Sequence, residues 1–202
     1  MHGPIEILAA VEGPVDEAVL RRLAEEVGVA APVVYGKRGK DALRQRLSGY
    51  NNAARFGPWA VLVDLNHDAD CAPRLVSDWL PAPSARMCFR VVVRKIEAWL
   101  LADRERLAAF LGVAPARIPA NPELEPDPKR TLIELSRQSR RREIREDMVA
   151  RPESGREVGP AYTSRLIEFI QCSWRPAEAA ARSDSLRRCL RRLRELVQDA
   201  QT

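Results

Sequence analysis

The first hundred residues alternate between short apolar runs and longer stretches in which apolar positions recur at helical spacing. The apolar runs lie at 5–11, 31–36, 59–65 and 87–93, and the stretches of helical periodicity lie between them at 16–28, 39–56 and 72–80. Repeated strand-then-helix units of this length are typical of a mainly parallel sheet covered by helices on both faces. The pattern predicts an α/β fold with a four-stranded sheet.

The pattern changes after the fourth strand. Segment 95–112 has helical periodicity, with Ile96, Leu100, Leu107 and Leu111 on one apolar stripe. Segment 113–128 holds five of the 15 prolines and is expected to be an irregular connector. Asp127 and Pro128 are a favourable N-cap and first-turn pair. Further helices are predicted at 129–139, 161–171, 176–181 and 184–200.

This change in pattern predicts two parts of the chain. The first is an α/β domain over residues 1–112. The second is an α-helical lobe over residues 113–202 that packs on the first. With 202 residues, of which 46% are hydrophobic, the chain has enough apolar surface to build a core.

Charge adds a candidate partner. The formal net charge is +5, and basic residues cluster at 137–145 and 187–194, so the chain is suited to a polyanion such as nucleic acid. The alternative is that these are the solvated faces of surface helices, since no aromatic residues are interleaved for base stacking. The sequence shows no signal peptide pattern and no window of roughly 18 apolar residues, so we expect a cytoplasmic protein without membrane contact.

Carboxylates follow two of the predicted strands. Glu12 ends the first strand and Asp64 ends the third, and the carboxyl ends of parallel strands meet at one edge of a sheet. Asn66, Asp68 and Asp70 follow Asp64 closely. Oxygen ligands of this kind suit Mg²⁺ or Mn²⁺. The alternative is an Asp/Asn-rich turn whose side chains bond their own backbone.

Other chemistry has little support. The four cysteines are spread without a C-x-x-C pair, which argues against a structural zinc site. The segment GKRGKDA lacks the residue order of a phosphate-binding P-loop, and there is no G-x-G-x-x-G motif. Trp79, Trp99 and Trp174 lie among apolar neighbours and are expected to be packing anchors.

With Glu12-Gly13 after the first strand and Asp64-Leu65-Asn66 after the third, the first hundred residues resemble a TOPRIM domain. This module occurs in topoisomerases, primases and overcoming-lysogenization-defect nucleases. Four further segments look like a bacterial TOPRIM-like family of unknown function: GKDALRQRLSGY, KIEAWLLADRERLAAFLG, VGPAYTSRLIEF and SWRPAEAAARSDSLRRCLRRL. The resemblance covers most of the chain and implies a TOPRIM or Rossmann-like sheet flanked by helices.

The resemblance also implies a set of site residues. The TOPRIM pattern of acids carries over to Glu12, Asp16, Asp64 and Glu97, with Glu12, Asp64 and Glu97 as the catalytic residues. The predicted metal ligands are Glu12, Asp16 and Asp64 from this pattern, together with Asn66 and Asp68 from the residues that follow the third strand. Asn66 departs from the family pattern, because a neutral oxygen replaces the second aspartate of the pair and holds a cation more weakly.

Two of these acids have simpler alternatives. Asp16 lies in the first turn of a predicted helix, where acids are common because they favour the helix dipole. Glu97 also fits a surface acid in a first helical turn.

Basic residues are the candidates for contact with nucleic acid. Arg94 and Lys95 could steady a phosphate, although a solvated helix start explains them almost as well. The basic cluster at 137–145 supplies three more candidates, Arg140, Arg141 and Arg142.

The expected function is therefore a nuclease that depends on Mg²⁺ or Mn²⁺ and acts on DNA or RNA. The resemblance places it in bacterial anti-phage defence together with an ABC-type or SMC-like ATPase, since the chain carries no ATP motif of its own. A homo-oligomer is a further possibility. The alternative is a non-catalytic module that binds a partner, and Asn66 is the feature that favours it.

Overall fold

A computed structural model of the chain describes residues 6–201. Its sheet has four strands, β1 (Leu8–Val11), β2 (Val33–Gly36), β3 (Trp59–Asp64) and β4 (Met87–Val92). They lie in the order β2-β1-β3-β4, and every pairing is parallel. The predicted four-stranded α/β architecture is confirmed. Ile5, which begins the first predicted apolar run, lies outside the described residues.

Burial explains why the strands read as continuous apolar runs. β3 is buried over its first five residues and β4 at every position except Arg90, because helices cover both faces of the sheet. β2 lies at one edge, and its Val33 and Tyr35 are 44% and 46% exposed. At the end of β2, Gly36 has φ +90°, and a Cβ there would lie 2.4 Å from the Val11 carbonyl oxygen.

Three helices follow the strands, α1 (Pro14–Glu26), α2 (Lys40–Ala53) and α3 (Ala72–Trp79). Val19 and Leu23 of α1 belong to one core cluster, and Leu47 of α2 and Leu75 of α3 belong to a second. β3 contributes side chains to both clusters, with Leu62 in the first and Val61 in the second. The alternation of side chains along each strand divides the two cores.

The predicted helix at 95–112 is divided at Asp103 into α4 (Ile96–Ala102) and α5 (Arg104–Leu111). The backbone of Asp103 leaves helical geometry, with φ −84° and ψ 70°. Its buried carboxylate accepts hydrogen bonds from the backbone N–H of Arg175 at 2.9 Å and from Nη2 of Arg175 at 2.6 Å. A tertiary contact thus accompanies the break, while the predicted apolar stripe is buried throughout.

The remaining chain is helical, with α6 (Pro128–Arg137), α7 (Arg142–Met148), α8 (Tyr162–Cys172), α9 (Pro176–Ala180) and α10 (Asp184–Gln201). The connector carries two short 3₁₀ turns, Pro115–Arg117 and Pro122–Leu124, and a third lies at Pro152–Ser154. Asp127 caps α6 by accepting from the Arg130 N–H at 3.2 Å, as predicted. Helix α7 was not predicted, because its short segment holds five charged residues.

One apolar cluster joins the sheet to the C-terminal helices. It contains Val11 and Leu62 from the sheet together with Leu132, Phe169 and Leu190 from α6, α8 and α10. Trp99 and Trp174 lie within it at 0% and 1% exposure, which confirms them as packing anchors. The division of the chain at residue 112 stays a prediction. Within residues 6–201, none of the helices combines the length and apolar character needed to cross a bilayer.

Candidate functional site at the carboxyl edge of the sheet

Four acidic residues approach one another at the carboxyl edge of the sheet. Glu12 follows β1, Asp64 ends β3, Asp16 lies in the first turn of α1, and Glu97 lies in the first turn of α4. β1 and β3 are neighbours in the sheet and run parallel, so their ends bring Glu12 and Asp64 to the same place. The structure thus brings together the four acids that the TOPRIM resemblance indicates.

A cleft of about 340 Å³ opens at this edge. Its polar lining consists mainly of Asp16, Asp64, Asn66, Lys95, Glu97 and Tyr162. Glu12 is not among the lining residues, and its Oε1 instead accepts a hydrogen bond of 2.8 Å from the Asp64 backbone N–H. Glu12 therefore holds the end of β3 in place, while Asp16, Asp64 and Glu97 face the cleft.

Gly13 separates Glu12 from the start of α1. A Cβ at this position would lie 3.3 Å from Asp16 Oδ2, which is tighter than an ordinary carbon–oxygen contact. The glycine therefore lets the Asp16 carboxyl group pack back against the turn that follows β1.

Burial and mutual repulsion raise the pKa values of the acids that face the cleft. The pKa of Asp16 is raised to about 7, first by burial and then by the negative charges of Glu12 and Glu97. The pKa of Asp64 is raised well above its usual value by burial and by the charges of Asp16, Glu12 and Glu97. Asp64 Oδ1 is buried and has no hydrogen-bond partner among the described residues.

Glu97 is 7% exposed, so the alternative of a surface acid does not hold. Burial raises its pKa, although a hydrogen bond of 3.0 Å from the Tyr162 hydroxyl to Glu97 Oε1 acts in the opposite direction. Burial and the Glu97 charge also raise the pKa of Tyr162, so the phenol remains a donor. Tyr162, which also lines the cleft, fixes the orientation of the Glu97 carboxyl group.

Three lysines stand around the acids. Lys40, at the start of α2, donates through Nζ to the backbone oxygen of Asp64 and forms an ion pair with Asp68. Lys95 pairs with Asp127 at 3.0 Å, and Lys129 pairs with Glu157 at 2.6 Å. Each positive charge is thus already partly compensated, and none pairs directly with Asp16 or Asp64 in the described chain.

The segment after β3 forms a tight turn. Asn66 has φ +51°, and its N–H donates to the Arg94 carbonyl oxygen at 2.9 Å. Asp68 and Asp70 are exposed and pair with Lys40 and Arg74, respectively. Asn66 lines the cleft. Asp68 does not line the cleft, and its carboxylate forms an ion pair with Lys40.

The present arrangement does not contain a preformed set of metal ligands. In the part of the chain that the structure describes, no group of three or more His, Cys, Asp or Glu side chains could hold a metal ion. The donors nevertheless have the right chemistry, because Asp64 Oδ1 lacks a partner and the neighbouring carboxyl groups repel one another. Coordination of an ion would require side-chain rotation.

The predicted nucleic-acid residues occupy three different places. Lys95 lines the acid cleft, whereas Arg94 lines a second cavity on the other side of the 65–66 turn. Arg140, Arg141 and Arg142 lie at the start of α7 and are exposed. Arg141 Nη1 donates to the Phe110 carbonyl oxygen at 3.2 Å, and Arg142 pairs with Glu146 at 2.7 Å. Their role in binding stays a prediction.

Sequence reasoning did not assign Lys40, Lys129 or Tyr162 to the site. The position of Lys40 at the start of the helix that follows β2 was a usable signal, because that helix start lies at the carboxyl edge. Tyr162 and Lys129 come from the helical lobe. The Gly-Pro start of the helix at 161–171 left open that Tyr162 presents its ring to a cleft, whereas no local pattern indicates that Lys129 contacts the sheet.

Comparison of the chain with models of known protein families, with curated proteins and with solved structures finds no match. The function of the protein is therefore inferred from the geometry and chemistry of the acid cleft itself.

Proposed function

We propose that the protein is a phosphodiesterase that depends on a divalent metal ion and cleaves nucleic acid. The observation that carries the proposal is the convergence of four carboxyl groups from separate elements, Glu12, Asp16, Asp64 and Glu97, at one edge of a parallel sheet. Buried carboxyl groups that raise one another's pKa values are common at functional sites. They are costly for a fold that makes no use of them.

The unbalanced charge of the cleft supports the choice of a cation. The mutual repulsion of Asp16, Asp64 and Glu97 opposes their joint ionisation, and the nearby lysines already have other partners, so a bound cation would relieve this repulsion. Mg²⁺ and Mn²⁺ prefer carboxylate oxygens, and Asp16, Asp64 and Glu97 would hold the ion. A bound ion of this kind lowers the pKa of water and neutralises charge on a phosphate.

The surrounding residues would orient the acids and the substrate. Glu12 fixes the Asp64 backbone, and Tyr162 holds Glu97 by a hydrogen bond. Lys95 lines the cleft and can turn from Asp127 towards a phosphate oxygen. Farther from the cleft, the nucleic-acid backbone would contact the exposed positive charges of Arg140, Arg141 and Arg142.

The resemblance to TOPRIM nucleases supports a biological setting for this activity. We infer that the protein is an effector of bacterial anti-phage defence in the cytoplasm and that an ABC-type or SMC-like ATPase controls it. ATP hydrolysis would come from that partner, since the sequence has no P-loop order.

A second candidate function is a non-catalytic module that binds a partner. Asn66 favours it, because a neutral amide faces the cleft where the resembled family has an aspartate. The lack of a preformed group of metal ligands within residues 6–201 favours it as well. In that case no metal ion is bound, and protonation of Asp16, whose pKa is raised, reduces the repulsion among the acids.

Thermal unfolding with added Mn²⁺ tests the metal site. We expect Mn²⁺ to raise the Tm of the wild-type protein at pH 8, because binding to the folded state alone stabilises it. Asp64→Asn should abolish the increase. Asp41→Asn, which removes an exposed carboxylate of α2, should leave it intact. An equal increase in all three proteins would contradict the assigned site.

Cleavage distinguishes the two candidate functions. Purified protein is incubated with plasmid, single-stranded DNA and tRNA in the presence of Mn²⁺. We expect cleavage that Asp64→Asn slows by about 100-fold or more, since even residues around a metal ligand contribute 10–100-fold. If Mn²⁺ binds but plasmid, single-stranded DNA and tRNA all stay uncleaved even when the partner ATPase is supplied, the result would favour the non-catalytic module.

A further inference from the structure

A cavity of about 710 Å³ is separate from the acid cleft. It lies along the outer edge of β4, between α3 and the start of α10. Its apolar wall comes mainly from Leu65, Val76, Leu80, Phe89, Val91 and Val93. Cavities of this size with apolar walls and a few polar groups are typical of sites for small molecules.

Arg90 of β4 lines this cavity. It is half-buried, whereas the other residues of β4 are buried. Its Nε atom is buried and has no hydrogen-bond partner among residues 6–201. A buried donor without a partner is costly, and a charged donor more so. The fold therefore carries a half-buried guanidinium with one buried donor, Nε, that no residue in 6–201 satisfies.

The acids of the cavity lining do not compensate Arg90, because each is engaged elsewhere. The Glu123 carboxylate accepts from the Ser183 hydroxyl at 2.6 Å and from the Ser185 N–H at 2.9 Å. Asp184 pairs with Arg188 at 2.6 Å, and Asp70 pairs with Arg74 at 2.9 Å.

A second arginine is available beside Arg90. Arg94 lines the same cavity, and its hydrogen bond to the Asn66 carbonyl oxygen is long, at 3.4 Å. Arg188 also lines it but is held by Asp184. Two guanidinium groups with unused donors thus face an apolar chamber, which is the charge pattern that complements an anion with an apolar body.

We propose that this cavity binds a small organic anion that has a phosphate or carboxylate head and an apolar body. The head binds Arg90 and Arg94, and the body packs on Phe89, Val76 and Leu80. The site is independent of the acid cleft and of the proposed nuclease activity, and it remains if that activity is absent.

Calorimetric titration with naphthyl phosphate, naphthoate and neutral naphthol tests the proposal. The three probes share one apolar body and differ in the head group, so the two anions also distinguish a phosphate from a carboxylate ligand. We expect at least one anion to bind at least tenfold more tightly than naphthol, because a charge-assisted bond to a buried guanidinium adds to apolar contact. Equal binding of all three probes would overturn the proposal.

Two variants locate the binding. Arg90→Met removes the guanidinium with the unpartnered Nε and should weaken anion binding at least tenfold. Arg86→Met is the matched control, since Arg86 is exposed, precedes the same strand and lies outside the lining. It should change the affinity less than twofold. Equal weakening by both variants would show a general charge effect and overturn the site.

A third variant keeps the test valid if Arg90→Met fails to fold. Ser77→Trp places a bulky side chain at an exposed position of α3 that lines the cavity and leaves Arg90 unchanged. It should weaken anion binding at least tenfold by filling space. Wild-type affinity in Ser77→Trp would exclude this cavity as the binding site.

Discussion

Asp16 illustrates how burial and neighbouring charge act on a single side chain. Its carboxyl group is 8% exposed, and its pKa is raised to about 7. A group whose pKa is higher in the folded than in the unfolded state stabilises the fold when protonated. That contribution is fully present below about pH 4 and is lost as the pH rises through about 7. The adjacent Glu17 behaves in the opposite way.

Burial acts to raise the pKa of Glu17, but hydrogen bonds and ion pairs from Lys37 and Arg21 outweigh it and lower the pKa. Its contribution to stability is therefore present above its ordinary pKa and is lost as the pH falls. Two consecutive residues of α1 thus have opposite pH dependence, because one faces the acid cleft and the other faces lysine and arginine.

Asp16→Asn is expected to stabilise the protein at high pH. The substitution removes a charge that repels Glu12 and Glu97, and we expect a gain on the order of 2 kcal/mol at pH 8. At pH 4 the gain should vanish, because the wild-type carboxyl group is then protonated. Urea unfolding of both proteins between pH 4 and pH 8 measures the difference.

Glu17→Gln is the matched control for this experiment. It should lower stability at pH 8, the opposite sign from Asp16→Asn, since it removes the partner of Lys37 and Arg21. A loss of stability in Asp16→Asn at pH 8 would show that the Asp16 carboxylate is needed for folding and is not a source of repulsion.

Helix α10 shows how one element depends on a distant side chain for its start. The carboxylate of Glu123, in a 3₁₀ turn of the connector, accepts from the backbone N–H groups of Asp184 at 3.2 Å and Ser185 at 2.9 Å. Ser183 adds a second cap, because its hydroxyl accepts from the Leu186 N–H at 3.2 Å. The backbone N–H groups in the first turn of α10 are therefore satisfied by one distant residue, Glu123, as well as by the N-cap Ser183.

Glu123→Ala is expected to lower the free energy of unfolding by about 2 kcal/mol. The substitution leaves two backbone donors of α10 without their acceptor and removes the partner of the Ser183 hydroxyl. Glu153→Ala, in the exposed 3₁₀ turn Pro152–Ser154, is the control and should have no measurable effect. Equal stability of the two variants would mean that the Glu123 contacts contribute little to α10.

The elements also show which boundaries local pattern can indicate. Apolar periodicity over 95–112 correctly identified the buried stripe, but it did not reveal the break at Asp103. That position is non-helical where a buried carboxylate meets Arg175 of a distant segment. Similarly, the charged segment of α7 lacks a strong apolar pattern, and only Ile144 and Met148 anchor it in the core.

At the scale of the whole molecule, the acid cleft depends on both parts of the chain. Asp16 and Asp64 come from the first hundred residues, whereas Tyr162, which orients Glu97, comes from α8. The helices α1 and α8 are in contact, and their apolar residues share one cluster with the sheet. Removal of the C-terminal helices would expose the part of β4 that α10 covers and the face of α1 that packs on α8.

We therefore expect the full chain to unfold in one cooperative transition. Urea unfolding followed by far-UV circular dichroism and by tryptophan fluorescence should give coincident midpoints, because the core is continuous from β1 to α10. A fragment of residues 1–112 should show no cooperative transition. Two separated midpoints in the full chain would mean that the parts on either side of residue 112 fold independently.

The sequence by itself determined the sheet and the position of its acids. Apolar period and run length are local properties, and parallel strands oblige Glu12 and Asp64 to share an edge. Only the tertiary structure decided that Lys40 reaches the Asp64 backbone, that Tyr162 holds a buried Glu97 and that Arg90 Nε has no partner within residues 6–201. Each of these depends on burial and on contacts between residues far apart in sequence, which periodicity along the chain does not contain.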